Sequence, residues 1–94
     1  MASGILEGQL SGVGASEAVT LGPKTPFNLS LSGVDGTYVI ERSFDEGATW
    51  MVVGTATKDY EGVGYEPEAK TLYHIKCTSY TSGPMTFRIG TRMS

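Results

Sequence analysis

Helical periodicity is the first thing missing. No stretch sustains apolar residues at i, i+3, i+4 and i+7. The one weak candidate, Ala15 to Val19, is too short to stand alone as a helix. The sequence also holds one cysteine, one histidine and one tryptophan among 94 residues. A lone Cys77 excludes an internal disulfide framework and any cysteine-rich zinc site, and it points to synthesis in a reducing cytoplasm. A lone His74 leaves no second imidazole for a metal centre. No apolar run reaches the roughly 18 residues of a spanning helix. The opening Met1-Ala2-Ser3-Gly4-Ile5-Leu6-Glu7 lacks the basic and long apolar regions of a secretory leader. Basic charge is in deficit as well, with 7 Lys+Arg against 10 Asp+Glu and a net charge of -3. Nucleic-acid binders carry a basic footprint, so neither nucleic acid nor membrane is expected as a partner.

What is present is glycine and alternation. Thirteen glycines punctuate short apolar runs. Phe27, Leu29 and Leu31 alternate with polar residues, as do Tyr38 and Ile40, Tyr73, Ile75 and Cys77, and Met85, Phe87 and Ile89. Period-2 patterns of this kind bury one face of a strand and wet the other. They predict strands over 26–32, 36–43, 49–55, 71–79 and 84–91, with a short one at 57–60. Residues 4–11 and 17–21 are candidate first strands. The pairs 36–43/49–55 and 71–79/84–91 read as hairpins, the second turning at Thr81-Ser82-Gly83-Pro84. About seven strands at this spacing imply an all-β protein, a single small β-sandwich of immunoglobulin-like or short jelly-roll type. Surface scaling for one domain of this size predicts a folded area of roughly 5,200 Å².

Glu61 to Lys70, EGVGYEPEAK, breaks the alternation and reads as a long loop. Charge is split around it. Asp45, Glu46, Asp59, Glu61, Glu66 and Glu68 face only Lys58 between positions 45 and 68, whereas Lys70, Lys76, Arg88 and Arg92 follow with no further acid. Such a chain can set its acidic loop against a neighbour's basic edge. Tyr60 and Tyr65 lie in or beside that loop, and tyrosine suits contact surfaces because it joins apolar area to a polar tip.

Ser43-Phe44-Asp45-Glu46-Gly47-Ala48-Thr49-Trp50 is the most specific segment. It fits S-x-D-x-G-x-T-W, the Asp-box of sialidase propellers and other β-proteins, where it is a structural turn. The physics is that of a tight hairpin. Asp45 folds its carboxylate onto turn N–H groups, Gly47 supplies positive φ, and Thr49 re-enters the strand. Trp50 is expected to close over the turn and plug one end of the core. One box cannot build a propeller. His74 lies opposite Tyr73 and Ile75 and reads as a surface strand residue, with no nucleophile or orienting acid nearby. Cys77 reads as a core residue. The carboxylates lack the spacing of a calcium loop, and a chain this short leaves little room for a glycosidase cleft. No catalytic residue, metal or cofactor is expected.

The stretch from Thr37 to Ser94 resembles a group of small all-β structural proteins of tailed bacteriophages and prophages. The resemblance rests on Glu41-Arg42-Ser43-Phe44-Asp45-Glu46-Gly47-Ala48-Thr49-Trp50, on Tyr65-Glu66-Pro67-Glu68, and on Leu72-Tyr73-His74-Ile75-Lys76-Cys77-Thr78-Ser79-Tyr80-Thr81-Ser82-Gly83. Pro26 to Gly33, PFNLSLSG, adds an earlier strand. The chain departs from the group's pattern at Glu46, where glycine is usual. The resemblance implies a virion component: a capsid decoration (cement) protein clamping capsid subunits, or a head–tail connector or tail accessory protein. Its partners would be the major capsid protein or other virion proteins and further copies of itself as a dimer or trimer. Its location would be the virion, and the host cytoplasm during assembly. A carbohydrate-binding module for host attachment, built on an exposed Trp50, is the reading of another class. The expected organisation is a flexible N-terminal arm at 1–15 and a sandwich domain at 16–94. Ser43, Asp45, Gly47, Thr49 and Trp50 form the structural turn. Tyr60, Glu61, Tyr65, Glu66, Glu68, Arg88 and Arg92 are the expected partner interface.

Overall fold

The computed structural model describes residues 5–22, 24–68 and 71–91. Among them lie nine strands and no helix: β1 Ile5–Leu10, β2 Gly14–Ala15, β3 Val19–Leu21, β4 Thr25–Ser32, β5 Gly36–Ser43, β6 Met51–Ala56, β7 Tyr60–Glu66, β8 Thr71–Tyr80 and β9 Met85–Thr91. Two sheets form a β-sandwich. One runs β1-β9-β4-β7; the other runs β2-β8-β5-β6, with β3 also on β8. Every pairing is antiparallel. The accessible area is 5270 Å², close to the sequence-based value.

Alternation set the faces correctly. Leu29, Leu31, Met85, Phe87 and Ile89 point inward from the first sheet and meet Tyr38, Ile40, Tyr73, Ile75 and Cys77 from the second. Cys77 is fully buried, as its place in the pattern predicts. Alternation carries no information about which strand a given strand will join, and there the structure differs. Residues 71–79 and 84–91 are not a hairpin, because β8 and β9 lie in opposite sheets. The turn between them crosses the sandwich. It is tied to the β4–β5 crossing by Thr81 N–H on the Asp35 carbonyl at 3.0 Å and Ser82 Oγ on Asp35 Oδ2 at 2.7 Å.

Two further expectations move. Residues 5–15, read as part of a flexible arm, are built into the sandwich. β1 pairs with β9 from Ile5↔Gly90 to Leu10↔Met85, and β2 pairs with β8; residues 1–4 lie outside the described residues. β2 and β3 behave as one edge strand with a one-residue slip against β8. At the slip the Ser16 hydroxyl accepts from Ile75 N–H at 3.0 Å, in place of a ladder carbonyl.

Glu61 to Glu66, read as a loop, is most of β7. It pairs with β4 without a break, from Thr25↔Glu66 to Leu31↔Tyr60. Its inward positions are Tyr60, Gly62, Gly64 and Glu66, too few apolar side chains to register as a strand. The glycines make room instead. A Cβ on Gly64 would lie 2.5 Å from Cζ of Phe27, its cross-strand partner, so the Phe27 ring lies over the β7 backbone. That ring is in turn tilted against Tyr73 at 5.0 Å.

Candidate functional site

The Asp-box folds as its residues require. Ser43 Oγ donates to Asp45 Oδ1 at 2.7 Å and accepts from Gly47 N–H at 2.9 Å. Thr49 N–H donates to the same Asp45 oxygen at 2.8 Å. The Ser43 hydroxyl and then the Thr49 N–H hold the Asp45 carboxyl below the usual carboxylate range. Gly47 sits at φ 93°, and Glu46 at φ 60° occupies the left-handed region although it carries a side chain. Glycine would hold that conformation without the steric cost that a side chain brings.

Trp50 does not plug the core. It folds back over the outer face of the second sheet and stacks on His74, ring centroids 3.7 Å apart and planes 17° from parallel. Beneath it His74 Nε2 meets Glu41 Oε1 at 2.7 Å, across the Glu41↔His74 register pair of β5 and β8. His74 is therefore buried, 6% exposed, and not the surface residue its alternation suggested. One face of the indole is occupied by the imidazole. The carbohydrate reading needs that ring exposed, and here it is half-buried. The His74–Glu41 pair was not legible because the partner strand of β8 was unknown; once β5 is placed beside β8, the pairing follows from register alone.

The expected partner interface divides. Glu66 is withdrawn from it, being 0% exposed. Its carboxylate accepts from Tyr73 Oη at 2.7 Å, Arg42 Nη1 at 3.0 Å and Glu68 N–H at 2.7 Å. Burial pushes its pKa up, but these three donors outweigh burial and hold it below the ordinary range. Burial and then the bond to Glu66 push the Tyr73 phenol up to about 12. Arg42 continues outward under the Phe44 ring, 4.8 Å from its centroid. Sequence inspection missed this network because its members lie on β5, β7 and β8. Glu68 is exposed and its N–H serves Glu66. Arg88 is paired with Glu7 at 3.0 Å across β1 and β9, and it shares a shallow surface pocket with Val63 and Gly64 of β7. Arg92 lies outside the described residues.

Tyr60, Glu61 and Tyr65 are exposed and do belong together. They sit on β7, the free edge of the first sheet, on the same side of the sandwich as β6, the free edge of the second. Between the two edges opens a cleft of about 400 Å³ with Phe27, Leu29, Ile40 and Tyr73 at its base and Val53 and Tyr60 at its rim. Gly54, Gly62 and Gly64 line it too, and the Tyr60 and Phe27 rings lie close over Gly62 and Gly64. Among the described residues, six of the eight exposed large hydrophobic side chains lie on these two strands: Met51, Val52 and Val53 on β6, and Tyr60, Val63 and Tyr65 on β7. Contiguous exposed apolar surface of this kind marks interaction sites. Among the described residues no group of three or more His, Cys, Asp or Glu side chains gathers as for a metal ion.

In comparison with known proteins, no family, no curated protein and no solved structure matches this chain.

Proposed function

We propose that the protein is a structural interaction module of a tailed-phage virion, a capsid decoration protein that docks through the open β6–β7 side. The observation that carries this reading is the concentration of exposed apolar side chains on two neighbouring free edges of the sandwich. Free edges offer unpaired N–H and C=O groups to an extended partner segment. Val52, Val53, Val63 and Tyr65 add apolar area beside those groups. Exposed Glu61 on β7 and Asp59 just before it put negative charge along that edge, outside the cleft that Arg42 helps to line, and this charge suits a basic partner surface.

The mechanism is binding alone. A protein that binds the assembled shell and not the loose subunits stabilises the shell. Many equivalent sites make weak single contacts sufficient. The resemblance of the Asp-box hairpin and the β8 segment to phage structural proteins supports the virion reading, and the exposed β6 and β7 edges support the contact surface.

The test is cryo-electron microscopy of the particle with quantified protein bands. Many copies spread over the icosahedral shell, contacting capsid protein through β6 or β7, support decoration. A handful at one vertex moves the protein to the head–tail junction or tail. Absence from the particle overturns the virion reading.

A further inference from the structure

The sandwich has four edges, and they are not equally protected. β1 shows water a polar outer face, with Glu7 bonded to Arg88 and Gln9 bonded to Thr86. The β2–β3 edge is interrupted by its slip at Ser16. β6 carries a register shift opposite Ile40 and Glu41. Bulges, charges and interruptions of this kind blunt an edge against further pairing. β7 has no bulge and no interruption, and its exposed charge is the single carboxylate of Glu61. It is seven residues long, keeps unbroken register with β4, and contains no Lys or Pro. Its outer face carries Glu61, Val63 and Tyr65, with Val63 86% exposed at its midpoint.

We infer that β7 is a self-pairing edge, and that two copies of the chain join antiparallel about Val63. The strand is complementary to itself in that arrangement. Centred on Val63, all seven residues pair, whereas any shifted two-fold register leaves some unpaired. Val63 meets Val63 of the second copy, and Gly62 meets Gly64. Glu61 meets Tyr65, so no carboxylate faces a carboxylate, and the phenol lies beside the acid. On the outer face Tyr65, Val63 and their symmetry mates become one apolar strip. The two four-stranded sheets become a continuous sheet of eight, with a two-fold axis as in most homodimers. β6 and the cleft behind it remain open for another partner. The inference deepens the reading of the β6–β7 side as a contact surface and rests on it.

The experiment uses the isolated full chain. Sedimentation equilibrium across a wide concentration range is expected to show mass rising from 10.0 kDa toward twice that value. Val63→Lys is expected to hold it at the monomer mass with an unchanged circular dichroism spectrum, because the side chain it replaces faces solvent. Val63→Cys reads the geometry directly. Opposed strand residues lie about 4.5–5.5 Å apart at Cα, within reach of a disulfide, and the native Cys77 is fully buried. Mild oxidation is expected to convert most of that variant to covalent dimer, while Gln9→Cys on the β1 edge stays monomeric. A mass fixed at 10.0 kDa together with no more crosslinking at 63 than at 9 overturns the inference. So does a dimer that survives Val63→Lys. The particle test of the virion role is separate, so either can fail alone.

Discussion

Trp50 lies flat on His74, 3.7 Å between ring centroids, and roofs the hydrogen bond from His74 to Glu41. A hairpin held by Ser43 and Asp45 thus delivers an aromatic lid to the outer face of a sheet. Trp50→Ala removes half-buried aromatic area and opens the pair beneath to water. The expected cost is about 2–3 kcal/mol, measured by urea unfolding. Trp50→Phe is expected to restore more than half of it. No loss in the alanine variant would mean that the lid contributes nothing to stability.

The Glu66 carboxylate is charged and held below its unfolded pKa by Tyr73, Glu68 N–H and Arg42 acting against burial. Its contribution is therefore present above the unfolded value of a glutamate and lost as pH falls through the lower folded value. Glu66→Gln is expected to cost about 2 kcal/mol at pH 7, since it leaves the Arg42 charge without its acid. It should also flatten the acid limb of a stability–pH curve below about pH 4.5. An unchanged acid limb would contradict the assignment.

Glu46 holds φ 60° in the Asp-box turn. A side chain in that region costs about 1–2 kcal/mol, and glycine removes the cost while giving back some chain entropy. Glu46→Gly is expected to raise stability by up to about 1 kcal/mol in thermal or urea unfolding. A clear loss would show that the Glu46 side chain has a stabilising contact of its own.

Gly64 must stay small for a different reason. A Cβ there would lie 2.5 Å from Phe27 Cζ, and the Phe27 ring is already packed on Tyr73. Gly64→Ala is expected to cost roughly 1–3 kcal/mol by displacing that ring. Phe27→Leu in the same chain should recover part of the loss, which a double-mutant cycle would measure.

The inward faces of β4, β5, β8 and β9 were readable because each carries three or so apolar residues at period two, such as Met85, Phe87 and Ile89. β7 was not, because Gly62 and Gly64 stand where the pattern needs side chains and borrow aromatic cover from Phe27 and Tyr60. The Asp-box turn was legible to the hydrogen bond, since Ser43, Asp45 and Thr49 act within a few residues of one another. His74, Glu41, Arg42 and Glu66 were not, since their bonds span 24 to 33 residues and depend on strand order. Tyr60, Glu61 and Tyr65 were singled out as a loop surface; they form a surface on a strand edge.

Strand β9 lies between β1 and β4 at the centre of its sheet, and its Arg88 bonds to Glu7, 81 positions earlier. On a ribosome, β1 and β4 emerge long before the strand that must sit between them. Until it arrives, Leu29 and Leu31 have no neighbour on that flank and β1 has none at all. Closure of this sheet therefore waits for residues 85–91, about 80 positions after β1, and distant pairings of this sort make for slow folding. The half-made sandwich presents β4 with its apolar face open, so its survival depends on how quickly residues 85–91 follow.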